Sequence, residues 1–149
     1  MRTLPILIIT LLLAGCTFND NPNALILEGG SLSNLKGSWL MFEKGYSPGA
    51  GYIVDEVPSV PPKIITFGHD GSFTSNVEGY DTYKRYRIDK DKDDHVLVLA
   101  VSEDAFESNE ARFTIKFIDG AMFLYRRYCF EGCHEAFMKI RGNEQDQNP

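Results

Sequence analysis

Short runs of β-branched and aromatic residues recur along the chain from Leu35 onward, and glycine, aspartate and proline separate them. Runs of this kind are typical of β-strands, and almost no segment in this region has the 3.6-residue repeat of a helix. The pattern predicts eight strands, at residues 37–44, 63–68, 72–78, 82–88, 95–101, 111–118, 121–128 and 133–140.

The alternation of apolar and polar residues is clearest in the run 111–118. Phe113, Ile115 and Phe117 would point to one side of this strand, because successive side chains of a strand point to opposite faces. The residues between them are polar. One face of the strand is therefore expected to be buried, and the other to contact water.

Two short sequences, His69-Asp70-Gly71 and Asp119-Gly120, predict tight hairpins. Hairpins at regular spacing, without a crossover helix, indicate an antiparallel meander. Eight strands of this length can close into a small barrel, and closure removes the exposed edges of an open sheet. We therefore expect an all-β fold, an eight-stranded antiparallel up-and-down barrel, with a β-sandwich as the alternative.

The segment 45–62 separates the first two predicted strands and has no strand or helix pattern. Connections of this length in a compact domain are usually lids or binding loops. This one contains Tyr46, Tyr52 and three prolines, which restrict its backbone. As a hypothesis, residues 46–57 form a lid over one mouth of the barrel; the alternative is a loop packed on its outer wall.

The first residues of the chain have the organisation of an export signal. Arg2 is positive, residues 4–13 are mostly apolar, and Leu13-Ala14-Gly15-Cys16 follows. The apolar run is shorter than the roughly 20 residues that a membrane-spanning helix needs. The sequence LAGC resembles the lipobox of bacterial lipoproteins. That resemblance implies removal of the signal peptide 1–15, a lipid on the Cys16 thiol, and acylation of the new amino terminus with a fatty acid such as palmitate.

The same resemblance implies a location in the cell envelope. Two or more acyl chains hold a protein stably on a membrane that it does not span. Thr17, rather than an aspartate, after the lipidated cysteine is typical of sorting to the outer membrane. We expect a lipidated tether at 16–31, one globular domain at 32–141 and a disordered tail at 142–149.

The charge balance is acidic, with 21 Asp and Glu against 15 Lys and Arg. Without a basic stripe or tail, neither nucleic acid nor an anionic membrane face is an expected partner. The chain has no Gly-x-Ser-x-Gly motif, no phosphate-binding glycine loop and no paired carboxylates in a convincing setting. We therefore expect a protein that is not an enzyme and has no cofactor.

Cys129 and Cys133 stand in a Cys-x-x-x-Cys-His sequence that ends at His134. With Cys16 lipidated, they form an even pair in an oxidising compartment. Gly132 suits a short hairpin loop between them, which would place their Cα atoms within the roughly 4–7 Å that a disulfide requires. A structural disulfide is favoured; a redox-active pair, a metal site and a haem attachment site are the alternatives.

Other candidate metal ligands lack suitable spacing. The histidines form no His-x-x-x-His pair. The acidic run 89–94 begins like a calcium loop, but Asp94 and Ala100 stand where a glycine and a glutamate are needed. The run is more simply a solvated hairpin connection, and no metal site is predicted.

Gly37-Ser38-Trp39, at the start of the first predicted strand, resembles the Gly-x-Trp signature of lipocalins and bacterial lipocalin-like lipoproteins. The resemblance implies a short turn before this strand, at residues 31–35. It also implies that Trp39 packs at the barrel base, covered by an arginine from a late strand. Three arginines are candidates for this position: Arg126, Arg127 and Arg141.

These features predict a membrane-anchored barrel that binds a small apolar or amphipathic ligand in its interior. The residues expected to line the ligand are aromatic or aliphatic: Trp39, Tyr52, Phe113, Ile115, Phe117, Phe123 and Tyr125. The alternative is an interaction or scaffold lipoprotein, which would contact another envelope protein through the loop 45–62.

Overall fold

The computed structural model describes residues 25, 27–49, 51–106, 110–127, 129 and 132–142. The predicted signal peptide, Cys16, most of the tether and residues 143–149 lie outside the described residues. The strands, in chain order, are β1 (Leu27–Glu28), β2 (Gly37–Tyr46), β3 (Ile53–Glu56), β4 (Ile64–Phe67), β5 (Phe73–Ser75), β6 (Arg85–Asp91), β7 (Asp94–Ala100), β8 (Glu110–Ile118), β9 (Ala121–Arg126) and β10 (His134–Ile140). Two short 3₁₀ helices lie at Leu32–Asn34 and Glu103–Phe106.

Eight of these strands form a nearly closed antiparallel barrel. They follow one another around the sheet in chain order from β2 through β4 to β10, and β10 pairs back onto β2. The barrel is least completely paired between β5 and β6, where Ser72 and Arg85 form an isolated bridge. The N–H of Phe73 also donates to the carbonyl of Lys84 at 2.8 Å. The predicted eight-stranded up-and-down barrel is confirmed.

Two of the turns between strands have the predicted form. Asp119 and Gly120, between β8 and β9, have φ values of 51° and 79°. Positive φ at both central residues is the geometry of a type I′ turn, whose twist matches that of the flanking strands. The acidic run at 89–94 is a hairpin connection, as predicted, in which Asp91 lies opposite Asp94.

Two strands were not predicted. β1 pairs with the end of β10, so that Leu27 lies opposite Ile140, and the chain before residue 32 already contributes to the sheet. β3 lies inside the segment 45–62, which is therefore a hairpin and not a loop without strands. The apolar pattern did not reveal β3 because all four of its residues are exposed.

We call residues 43–57 the arm. β2 continues to Tyr46, and β3 returns antiparallel beside it, with Tyr46 opposite Ile53. The N–H of Val57 then donates to the carbonyl of Phe42 at 2.8 Å, which extends the pairing beyond β3. The arm thus prolongs the barrel wall, in contrast to the lid hypothesis.

Side chains of the protein itself fill the barrel interior. The predicted alternation of β8 is confirmed, since Phe113 and Ile115 belong to the core and Phe117 packs against it. The largest fully buried side chains are those of Trp39, Tyr80, Phe67, Phe73, Phe137 and Met41. Their burial is the main stabilising contribution, because each Å² of apolar surface removed from water contributes about 25 cal/mol.

The N-terminal segment closes the barrel at the Trp39 end. The indole Nε1 of Trp39 donates to the carbonyl of Leu35 at 2.7 Å. Lys139 of β10 lies over the indole ring, with its Nζ 5.7 Å from the ring centroid. This ammonium donates to the carbonyl of Lys36 at 2.9 Å and also to that of Asn34. A lysine therefore caps the tryptophan and at the same time holds the preceding turn.

The expectation of an arginine at this position is wrong. Lys139 lies directly opposite Trp39 in the register of β10 and β2, so their side chains share the inner face. The three candidate arginines form ion pairs elsewhere: Arg126 with Glu135, Arg127 with Asp91, and Arg141 with Glu28.

Candidate functional site

A buried histidine fixes the arm to the outer wall of the barrel. His134 begins β10 and lies opposite Gly45 of β2. Its Nε2 is 2.8 Å from Oε1 of Glu43, and its Nδ1 is hydrogen-bonded to the hydroxyl of Tyr52. A carboxylate only accepts hydrogen bonds, so Nε2 carries the proton that Glu43 accepts. In the neutral ring, Nδ1 is then the acceptor, and Tyr52 is the donor.

Gly45 makes this arrangement possible. A Cβ atom at this position would overlap the Tyr52 hydroxyl and the His134 ring. Glycine inside a strand often marks such a close approach, although it packs no side chain of its own. Here the hydroxyl of Tyr52 and the ring of His134 occupy the space that a side chain at Gly45 would need.

Two more aromatic residues complete what we call the His134 cluster: Glu43, Tyr52, Phe123, Tyr125 and His134. The ring centroids of Phe123 and Tyr125 lie 5.3 Å and 5.7 Å from that of His134. Burial raises the pKa of Tyr52, and the nearby Tyr125 and Glu43 raise it further. The Tyr52 hydroxyl therefore stays protonated at neutral pH and serves as a donor.

Glu43, His134 and Tyr52 form a hydrogen-bonded carboxylate–histidine–hydroxyl series, which we call the latch. The raised pKa of Tyr52 keeps its hydroxyl protonated, so that it can donate to Nδ1 of His134. The arrangement joins residues 82 positions apart in the sequence and holds the arm in place.

The arm also exposes apolar side-chain surface to solvent. Tyr52 and Val54 are 48% and 50% exposed, and Tyr46 and Ile53 are exposed to a similar degree. Among the described residues, β3 pairs only with β2, so its other edge is open. Apolar side chains grouped on a surface mark interaction sites, and tyrosine is enriched in them.

A buried tyrosine plugs the end of the barrel from which the arm projects. Tyr80 stacks on Phe113, with ring centroids 5.4 Å apart, and its hydroxyl donates to Oε2 of Glu135 at 3.1 Å. Arg126 donates to the other oxygen of Glu135 at 2.9 Å. Burial, and secondly the charge of Glu135, raise the pKa of Tyr80 well above its usual value. A ligand entering here would have to displace this plug.

The predicted ligand-lining residues divide between two faces. Trp39, Phe113, Ile115 and Phe117 belong to the interior or pack against it, as expected. Tyr52, Phe123 and Tyr125 instead lie together around His134, on the face opposite the core.

The placement of Phe123 and Tyr125 in the interior is therefore corrected. Met122 and Leu124 are the residues of β9 that belong to the core. The run 121–126 carries large apolar or aromatic side chains on both faces, so alternation alone could not distinguish the inner face from the outer one. Whether any of these side chains contacts a ligand stays a prediction.

A surface groove lies beside the plugged end, with a volume of about 590 Å³. Phe113 and Ala111 provide apolar lining, and Arg126 contributes a charge. The other lining residues are Glu110, Arg112, Arg127 and Cys129. A groove with one apolar and one charged side has the chemistry to hold a small amphipathic molecule.

Cys129 and Cys133 form the predicted disulfide, with their Cα atoms 5.6 Å apart. The N–H of Arg126 donates to the carbonyl of Cys133 at 3.1 Å, so the bond lies at the root of the β9–β10 hairpin. In the part of the chain that the structure describes, no group of three or more His, Cys, Asp or Glu residues could hold a metal ion. The disulfide connects the strand that carries Arg126 to the strand that carries Glu135 and His134.

Comparisons of the chain with protein-family models, with curated proteins and with solved structures found no match. Over the described ranges, no helix combines the length and the apolar character needed to cross a membrane.

Proposed function

We propose that this protein is a lipid-anchored, lipocalin-like lipoprotein of the bacterial outer membrane, whose barrel is a rigid mount for the arm and whose arm binds another envelope protein. The observation that carries this proposal is the arm itself. It is fixed to the wall through His134, yet every residue of β3 is exposed. The proposed activity is binding and not catalysis.

The filled interior indicates that the barrel supports the arm and does not enclose a ligand. A barrel that holds a ligand needs space inside it, and small eight-stranded barrels can instead be filled by their own side chains. Here the indole of Trp39 occupies one end and the ring of Tyr80 the other, and both are at most 1% exposed. Closely packed interiors are stiff, which suits a support for a projecting binding element.

The position of the N-terminal segment also supports the proposal. β1 joins β10 beside Lys139, at the Trp39 end, whereas the arm continues the opposite end of β2. The eight residues from Trp39 to Tyr46 span roughly 23 Å of extended strand. A lipid on Cys16 would hold the Trp39 end near the membrane, so the arm would project away from the lipid surface.

Photo-cross-linking in the host bacterium tests this function. A photoreactive amino acid at Ile53, in the arm, should give a covalent adduct with a distinct envelope protein. The same amino acid at Asp93, in the β6–β7 turn, is the matched exposed control and should not. The protein should fractionate with the membrane, and Cys16→Ser should release it. Absence of an adduct from the arm, or equal adducts from both sites, would contradict the proposal.

A second candidate function is binding of a small amphipathic molecule in the groove beside Phe113 and Arg126. Native mass spectrometry of the exported Cys16→Ser protein tests it directly. A bound molecule would add a mass of a few hundred daltons that is lost on denaturation, and Arg126→Ala would abolish it. A protein that always has its bare mass contradicts this second function and leaves the first unaffected.

A further inference from the structure

The outer edge of β3 presents unpaired backbone groups. Val57 donates through its N–H to the carbonyl of Phe42, so these opposite residues form a hydrogen-bonded pair. Such pairs occur at every second position of an antiparallel ladder. The backbone groups of Ile53 and Asp55 therefore point toward β2, and those of Val54 and Glu56 point away from it. Among the described residues, no strand pairs with this outer edge.

This edge is ordered by the arm's own contacts, and no described strand covers it. Natural edge strands are blunted by short length, charged side chains, bulges, proline or a covering segment. β3 is short and carries two acidic residues, Asp55 and Glu56, but it has no proline before Pro58 and is exposed along its whole length. The hydrogen bond from Tyr52 to His134 holds the start of β3 against the wall. An edge that is already ordered loses little entropy when a further strand binds.

The charges of the arm point to the chemistry of the missing strand. Glu56 lies directly opposite Glu43, and like charges at such positions are destabilising. Glu43 contacts His134, whereas Glu56 takes part in none of the ion pairs among the described residues. Three acidic residues and one lysine leave the arm with a formal charge of −2. A basic side chain beside Glu56 would relieve this repulsion.

We propose that the outer edge of β3 accepts an extended segment of a partner protein as an added antiparallel strand, with a basic residue opposite Glu56 and an apolar residue two positions later, opposite Val54. This inference rests on the proposed function and names the partner's chemistry. The main chain of the edge supplies the hydrogen bonds, and alternate side chains supply the specificity. A second copy of β3 fits less well, because it would bring its own Asp55 and Glu56 to the same edge.

A defined peptide tests the inference. The probe is a capped peptide with the sequence Gly-Lys-Thr-Val-Thr-Tyr-Gly, and its matched control has glutamate in place of lysine. The protein is the chain from residue 16, with Cys16→Ser, which contains every described residue. Titration followed by amide NMR should shift the Val54 and Glu56 signals to saturation with the lysine peptide. The glutamate peptide should bind at least tenfold more weakly, and Glu56→Lys should reverse the preference.

Two proline variants locate the contact. Val54→Pro removes an N–H that points to the open edge, and it should abolish binding while the Tyr52–His134 contact persists. Asp55→Pro removes an N–H that points to β2, and it should detach the arm. Equal binding of both peptides, unchanged binding to Val54→Pro, or no binding would overturn the inference. If the NMR signal of Val54 shifted with protein concentration in the absence of peptide, the edge would bind a second copy of this chain, and the partner segment would be ruled out.

The two proposals fail in different ways. If the arm gives a cross-linked partner in the cell but the lysine peptide does not bind, the edge inference falls and the proposed function stands. If Ile53 gives no cross-link, the proposed function falls whatever the peptide does.

Discussion

The hydroxyl of Tyr52 and Nδ1 of His134 are hydrogen-bonded across Gly45, on the outer face of the barrel. The other ring nitrogen of His134 is held by Glu43 at 2.8 Å, which sets the tautomer that accepts from tyrosine. This contact converts a long connection into an ordered arm.

Gly45→Ala should detach the arm from the wall. The added methyl group would overlap the Tyr52 hydroxyl and the imidazole ring, and such overpacking typically costs about 1–3 kcal/mol. Urea unfolding would measure the loss of stability, and hydrogen exchange at Asp55, whose N–H points to β2, would report the opening of the arm. Gly142→Ala is the control, because a Cβ there meets nothing within 4 Å. An arm that stays protected in Gly45→Ala would show that the latch does not depend on this glycine.

Lys139→Ala should destabilise the Trp39 end of the barrel. It would leave the carbonyls of Asn34 and Lys36 without their charged donor and uncover the indole ring. Loss of a buried hydrogen-bonding partner costs about 1–3 kcal/mol, and chemical denaturation with tryptophan fluorescence would detect it. The exposed Lys36→Ala keeps its backbone carbonyl and should be nearly neutral. Equal effects of the two substitutions would contradict the capping role of Lys139.

Tyr80→Phe should make the protein less sensitive to alkaline pH. The pKa of Tyr80 is raised in the folded state, so the unfolded chain loses this proton first as the pH rises past about 10. Its contribution to stability is therefore complete below that pH and is lost as the pH rises toward the folded-state value. At neutral pH the variant should lose about 1 kcal/mol, from the hydrogen bond to Glu135.

Unfolding free energies measured between pH 8 and about 11.5 test this point, since model tyrosine titrates near 10. Tyr83→Phe is the control variant. It removes the hydroxyl of a neighbouring tyrosine, whereas the hydrogen bond to Glu135 comes from Tyr80 and is kept. If Tyr80→Phe and the unmodified protein lost stability in parallel above pH 10, the buried hydroxyl would not be the group responsible.

Removal of the disulfide should weaken the protein modestly. The bond closes a ring of only five residues, and a ring of that size contributes about 2 kcal/mol through restriction of the unfolded chain. The double variant Cys129→Ala with Cys133→Ala should unfold at lower denaturant under non-reducing conditions and keep the barrel. Reduction of the unmodified protein with thiol should reproduce the shift. Complete loss of the fold would assign the disulfide a larger structural role.

Much of the fold follows from local features of the sequence. The alternation around Phe113 and Ile115, and the turn sequence Asp119-Gly120, each act over a few residues, and both appear in the structure as predicted. The disulfide was predictable for the same reason, because Cys129 and Cys133 are separated by one short turn. Patterns of this kind depend on backbone preferences and on side-chain period, which the chain carries without reference to its tertiary contacts.

The candidate site could not be predicted from local features of the sequence. β3 has only exposed residues and so lacks the apolar period of a buried strand. Its existence depends on pairing with the end of β2, and the latch depends on His134, which lies far along the chain. Gly45 stood at the start of the predicted loop 45–62, whereas in the structure it lies inside β2; a glycine there marks a close approach but does not name the approaching group.

The sequence alone therefore determined the eight barrel strands, their order and their hairpins, because each is specified by neighbouring residues. The tertiary structure decided which residues meet across the barrel. Lys139 covers Trp39 because the two lie opposite each other in the register of β10 and β2. That register shifts between Ala136 and Phe137, so that Glu43 and His134 share the outer face while Met41 and Phe137 share the core. A one-residue shift reverses every side chain beyond it, and only the paired strands determine where it falls.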